Sequence, residues 1–131
     1  MDELDAKILG LLKIDSRKKY VEIADAVGLT EGAVRRRVKK MLEKGIIEKF
    51  TIETKSEVEA VILVKTDSTK TREVATKIKE VSDRVFEVSG DYDIAALLYA
   101  NTMEQLNKKV DHIRELPAVL STNTLIKLVS D

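Results

Sequence analysis

The sequence predicts an α+β protein in two parts: an N-terminal three-helix, winged helix-turn-helix over residues 1–50 and a C-terminal βαββαβ antiparallel sheet domain over residues 60–131. Residues 51–59 form a hinge or linker strand between them, with Ser56 to Glu59 as the linker itself. Three observations carry this division. Apolar residues recur at helical spacing as far as about residue 44; strand-like apolar runs take over from about Val58; and Gly28 and Gly45 stand where the second and third helices should stop.

In the first helix, Leu4, Ile8, Leu11 and Leu12 form one stripe, with Asp2 as cap and acidic residues in the first turn where the helix dipole favours them. Asp15, Ser16 and Arg17 read as a turn. A short second helix, Tyr20 to Val27, turns Ile23, Ala24 and Val27 inward, and Gly28 ends it because glycine accepts the left-handed backbone of a C-cap. Thr30 caps a third helix that runs to about Lys44, with Val34, Val38, Met41 and Leu42 as its buried stripe. Ile46 to Ile52 reads as a short strand or wing.

After the linker come a strand at Ala60 to Thr66, a helix at Thr71 to Ser82 and a strand at Val85 to Ser89. The turn Gly90-Asp91-Tyr92-Asp93 leads to a buried strand, Ile94 to Ala100. Thr102 and Gln105 have capping-box spacing for a helix that reaches Leu116, which Pro117 breaks; Val119 to Val129 is the last strand. The order is ferredoxin-like: four strands in one sheet, both helices on one face. Few charges lie on either side of the strands, so the other face also needs cover, and a second copy of the sheet supplies it as a homodimer.

Composition narrows the chemistry. No cysteine is present, which excludes disulfides, thiolate metal sites and cysteine nucleophiles. His112, the lone histidine, lies beside Asp111 on the solvated side of a helix and makes no zinc site by itself. There is no glycine-rich phosphate loop, no nucleophile elbow and no carboxylate pair at catalytic spacing, so we expect no catalytic residues, no metal and no cofactor. An acidic N-terminus and apolar runs too short to span a bilayer predict a soluble cytoplasmic protein with no membrane partner.

The formal net charge is zero, but its distribution is uneven: residues 1–55 hold 13 Lys/Arg against 10 Asp/Glu, and residues 56–131 the reverse excess, 10 against 13. Arg35 to Lys44 alone contains six basic residues and one acidic, Glu43. This is a local footprint for double-stranded DNA. The spacing Ala24-x3-Gly28-x5-Val34 suits a helix-turn-helix: a small residue where two helices cross, a glycine turn, and an apolar anchor on the third helix. That helix then enters the major groove by its N-terminal end. Thr30, Glu31, Gly32, Arg35, Arg36, Lys39 and Lys40 become DNA-contact candidates, with Arg17 as a further phosphate contact. Arg35 and Arg36 suit guanine edges or phosphates, Glu31 suits the cytosine amine, and Lys39 and Lys40 suit phosphates.

These motifs resemble the Lrp/AsnC family, the feast/famine regulators of bacteria and archaea. The resemblance covers nearly the whole chain: Leu4-Asp5-x-x-Ile8-Leu9-x-x-Leu12 and Asp15-Ser16-Arg17; Glu22-Ile23-Ala24-x-x-Val27-Gly28-Leu29-Thr30; Val34-x-x-Arg37-Val38-x-x-Met41-x-x-x-Gly45-Ile46-Ile47; the Gly90 to Asp93 turn; and Leu116-Pro117-x-Val119 with Thr122 and Thr124. It implies a transcription regulator that dimerises through its C-terminal sheets, is often built up into octamers, works at the nucleoid, and binds a small-molecule effector, typically an amino acid, where dimers meet. By position, Gly90, Asp91, Tyr92, Asp93, Thr122 and Thr124 are the effector candidates, with Asp93 suited to an ammonium group. Three features depart from the pattern. Lys19 stands where a Ser or Thr cap is usual, Ala118 stands where Gly is common, and the Thr51 to Ala60 connection is short. Two alternatives share the architecture: a haem-biosynthesis decarboxylase-like enzyme, and an effector-binding oligomer with a degenerate DNA-binding domain.

Overall fold

A computed structural model describes residues 1–128, so Val129, the predicted end of the last strand, lies outside the described residues. The chain divides into two compact units, Met1–Glu53 and Thr54–Asp131.

The first unit holds α1 (Glu3–Ile14), α2 (Tyr20–Val27) and α3 (Glu31–Glu43). Asp2 caps α1, its Oδ1 accepting from the Asp5 N–H at 2.8 Å. Ile8, Leu12, Ile23, Ala24, Val34, Val38 and Met41 form the core. Burial of each larger apolar side chain contributes about 1.5–3 kcal/mol. Leu42, expected in the buried stripe, is 41% exposed: the face centred on Val34, Val38 and Met41 turns it to the rim.

The expected wing does not form. Residues 46–52 make no strand, and Phe50 and Ile52 are exposed. Their apolar content resembles that of a strand, but no strand is paired with them, and an unpaired strand gains no ladder hydrogen bonds. Ile46 and Ile47 instead close α3: both N–H groups donate to the Met41 carbonyl, at 2.9 and 3.1 Å, after Gly45 turns the backbone at φ +74°.

The second unit runs β1 (Val58–Thr66), α4 (Thr71–Lys79), β2 (Arg84–Glu87), β3 (Ile94–Ala100), α5 (Met103–Arg114) and β4 (Val119–Ile126). The sheet order is β2-β3-β1-β4, with every neighbouring pair antiparallel. β1 starts two residues before the expected Ala60, because Val58 already pairs with Ala100. Residues of β1 and β3 alternate: Ala60, Ile62, Val64, Ile94, Ala96 and Leu98 are buried in one core with Val74 and Ile78 of α4 and Leu106, Val110 and Ile113 of α5. The opposite face carries Val61, Leu63, Ala95 and Leu97, half-buried, with Phe86 and Leu125 exposed at its sides.

The capping box at α5 is displaced by one residue. The Thr102 hydroxyl accepts from the Gln105 N–H at 3.1 Å as expected, but the Gln105 side-chain Oε1 accepts from the Asn101 N–H at 3.0 Å, not from that of Thr102. After Pro117, Ala118 sits at φ +71°, the one non-glycine residue with positive φ among those described, and its carbonyl accepts from the Asp67 N–H at 2.9 Å. A pairing irregularity between Lys65 and Thr66 follows, leaving Leu120 exposed.

Candidate nucleic-acid interface and effector site

The helix-turn-helix geometry begins with packing. Ala24, 3% exposed, lets α2 approach α3 closely. Gly28 then adopts φ +75°, ψ 33°, its N–H returning to the Ala24 carbonyl, as does that of Leu29 at 3.0 Å. Thr30 starts α3 by accepting from the Ala33 N–H at 3.1 Å. Lys19 gives α2 no side-chain cap.

Glu31, Gly32, Arg35, Arg36, Lys39 and Lys40 lie exposed along one side of α3, and Arg17 is exposed in the turn before α2. Arg35 donates from Nη2 to Glu31 Oε1 at 2.7 Å, and its Cζ stands 5.1 Å from the centre of the Tyr20 ring. Arg36 folds back toward Gly32: a Cβ at Gly32 would meet Arg36 Nη1 at 3.4 Å. Gly32 therefore leaves this part of the helix surface low, which suits close approach to a duplex.

Arg37 has a different role from its neighbours, and sequence reasoning missed it as a contact residue. It points at α1, where Nη1 donates to Asp2 Oδ2 at 2.6 Å and to Asp5 Oδ1 at 3.1 Å. The hydrogen bond from Arg37, then that from the Asp5 N–H, holds the Asp2 carboxyl below the usual carboxylate range; the same two carboxylates hold Arg37 more firmly charged. A signal was present, since Arg37 adjoins buried Val38 and Asp2 and Asp5 share a helix face at i, i+3. Arg36, Lys40 and Lys44 meet this cluster along a groove of about 700 Å³.

In the second unit the Gly90 to Asp93 turn is closed by its own protein partners. Gly90 has φ +127°. Asp91 gives its carbonyl to Lys65 Nζ at 3.2 Å, and Tyr92 is half-buried. Asp93 Oδ2 accepts from the Thr66 N–H at 2.8 Å and from its hydroxyl at 3.4 Å. The Thr66 hydroxyl also lies 2.7 Å from that of Thr71, so the turn, the end of β1 and the start of α4 are tied together. Asp93 thus has a structural duty that the turn motif alone does not reveal.

Thr122 and Thr124 lie on the helix-covered face of β4, opposite Val64 and Ile62. Thr122 accepts from Arg114 Nε at 3.0 Å. The Thr124 hydroxyl is buried without a hydrogen-bond partner among the described residues, beside a cleft of about 380 Å³ bordered by Asn107, Asp111 and Arg114. Asp93 and Thr122 reach the same end of the sheet but flank β1 from opposite sides: the Asp93 N–H donates to the Val64 carbonyl, while Thr122 pairs with Val64 across the other edge. One chain therefore does not gather the turn and the two threonines into a single pocket. Among the described residues no cluster of His, Asp or Glu is arranged to hold a metal, and no helix is long and apolar enough to cross a membrane.

Comparison with known proteins agrees with both units. Residues 1–42 match the AsnC-type helix-turn-helix domain, and residues 59–129 match the Lrp/AsnC ligand binding domain. The chain is 39% identical to the HTH-type transcriptional regulator LysM of Sulfurisphaera tokodaii, over 98% of this chain and 95% of that protein. Solved structures share the fold. AsnC of E. coli superposes with a TM-score of 0.80 at 24% identity, covering 99% of this chain and 93% of its own. A transcriptional regulator of Neisseria meningitidis in complex with L-Met gives 0.83 at 22% identity, covering 98% and 90%. The chain belongs to the Lrp/AsnC family of transcription regulators and is not an enzyme.

Proposed function

We propose that this regulator binds double-stranded DNA sequence-specifically through residues 1–50 and that residues 60–131 assemble it and bind an amino-acid effector, with residues 51–59 as the hinge. The observation that carries the first half is the exposed face of α3, bearing Arg35, Arg36, Lys39 and Lys40 directly after the Ala24–Gly28 turn. Thr30, Glu31 and Gly32 begin that face, and Arg17 adds a phosphate contact from the preceding turn. Two such heads, paired by dimerisation, would take half-sites one or more helical turns apart.

The uncovered apolar sheet face around Val61, Leu63 and Leu97 supports a homodimer, which further association would build into an octamer. The L-Met complex of the structurally similar Neisseria regulator supports an amino acid as effector, held by Gly90, Asp91, Tyr92 and Asp93 together with Thr122 and Thr124. Because the turn and the threonines stand apart within one chain, the pocket on this reading is completed between chains. Effector binding then favours one assembly over another and so changes the spacing of the DNA-binding heads. The site of action is the cytoplasmic nucleoid.

The test is binding of the protein to a random double-stranded DNA pool at several salt concentrations, with and without an amino-acid mixture. Selection of a defined sequence is expected, with log affinity falling by about 0.9 per phosphate contact for each tenfold rise in salt. Absence of DNA binding would overturn the reading. A selected sequence and an affinity that both ignore the amino acids would remove its effector half.

A further inference from the structure

We propose that Glu31 and Tyr20 are positioning residues that frame Arg35 for reading a single guanine, and that Glu31 does not itself read a base. The proposal rests on the DNA-binding reading above. Of the four cations on the outward face of α3, Arg35 is the one held by protein groups from two sides. Glu31, one turn earlier, takes one N–H of its Nη2 at 2.7 Å, and the Tyr20 ring of α2 lies 5.1 Å from Cζ. Tyr20 packs half-buried against the core of the first unit, so it is a fixed surface and not a second mobile side chain. Arg36, Lys39 and Lys40 have no ion pair or hydrogen-bonded side-chain partner among the described residues.

The chemistry follows from guanidinium geometry. The group is planar and carries five N–H donors around its edge. The Tyr20 contact uses no N–H donor in a hydrogen bond and Glu31 uses one, so the remaining donors stay available to the O6 and N7 acceptors of guanine. An arginine fixed before it meets DNA has less rotamer freedom to lose on binding, which favours the one base whose acceptors match the fork. Glu31, with an oxygen engaged by Arg35, also repels phosphates and so lowers affinity for DNA lacking that guanine. The ion pair is itself an exposed i, i+4 pair and holds Arg35 only weakly alone, so the half-buried Tyr20 ring is what makes the frame more than a surface salt bridge.

The experiment compares the full chain with Glu31→Ala, Arg35→Ala and the double variant, each selecting from a random double-stranded DNA pool, together with affinities for a fixed duplex lacking the selected sequence. Both positions are exposed, and matched thermal melts verify folding; Glu31→Gln serves if Glu31→Ala does not fold. Arg35→Ala should reduce the guanine preference at one base-pair position by about tenfold. Glu31→Ala should relax that same position by about threefold, with the double variant no worse than Arg35→Ala. Its affinity for the unselected duplex should rise. Tyr20→Leu should relax the same position, and Tyr20→Phe should leave it intact. If Glu31→Ala relaxes a different position, Glu31 reads a base directly and the proposal fails. It fails equally if no position changes. A wild-type chain that selects no sequence would overturn the DNA-binding reading and this proposal with it.

Discussion

Asp93→Ala tests whether the Gly90 to Asp93 turn is held by the protein itself. Thr66 is 4% exposed, and its N–H donates to Asp93 Oδ2 at 2.8 Å. Alanine leaves that N–H buried without its acceptor, and a buried donor stripped of its partner costs about 1–3 kcal/mol. The Thr66 hydroxyl keeps Thr71, so the loss is centred on the backbone group. For a unit of this size each kcal/mol lowers the melting temperature by about 4–8 °C. Asparagine keeps an acceptor oxygen at the same place and should retain most of the stability, while removing the charge that would meet an effector's ammonium group. Urea unfolding of wild type, Asp93→Ala and Asp93→Asn gives the stabilities, and amide exchange at Thr66 locates the loss. Calorimetry with amino acids on the asparagine variant then measures the charge by itself. An unfolding midpoint for Asp93→Ala equal to wild type, with unchanged protection at Thr66, would refute the reasoning.

Ala118→Gly should raise stability by about 0.5–1 kcal/mol in urea unfolding, because φ +71° suits glycine and strains alanine; a lower midpoint would count against this. Arg37→Ala should weaken the first unit at neutral pH. Since Arg37 holds the Asp2 carboxyl below the usual carboxylate range, this stabilisation is present above that range and is lost as pH falls through the depressed value. The gap between wild type and variant should therefore narrow on acidification; a gap independent of pH would exclude Asp2 as the partner that matters. Leu63→Asp places a charge on the uncovered sheet face and should convert a wild-type dimer or larger assembly to monomer in sedimentation. An unchanged oligomer would place the interface elsewhere.

The helices and the central strands were legible because burial imposes a period. Ile8, Ile23, Val34 and Val38 appear in the sequence as they appear in the core. Caps were legible where one local hydrogen bond decides them, as at Asp2, Thr30 and Thr102. The wing was misread because Ile46 to Ile52 has strand-like composition, and composition does not reveal whether a pairing edge exists. Arg37 escaped notice as a structural anchor because its partners lie more than 30 residues away. The duty of Asp93 toward Thr66 also spans elements, as does the stacking of Arg35 on Tyr20. The effector candidates came as a set from the family resemblance, not from spacing, and the β-sheet register puts Thr122 and Asp93 on opposite sides of β1.

The pairing of Arg35 with Glu31, and of Arg37 with Asp2 and Asp5, leaves the charge of α3 unevenly distributed. Arg36, Lys40 and Lys44 recur every fourth residue and border one groove, and among the described residues none of them has an ion-pair partner, so they line up as a rail along one side of the helix. At 1.5 Å per residue the rail is about 12 Å long. A chain of zero net charge thus carries a short positive ruler, because Glu31, Asp2 and Asp5 neutralise Arg35 and Arg37 and leave Arg36, Lys40 and Lys44 in line.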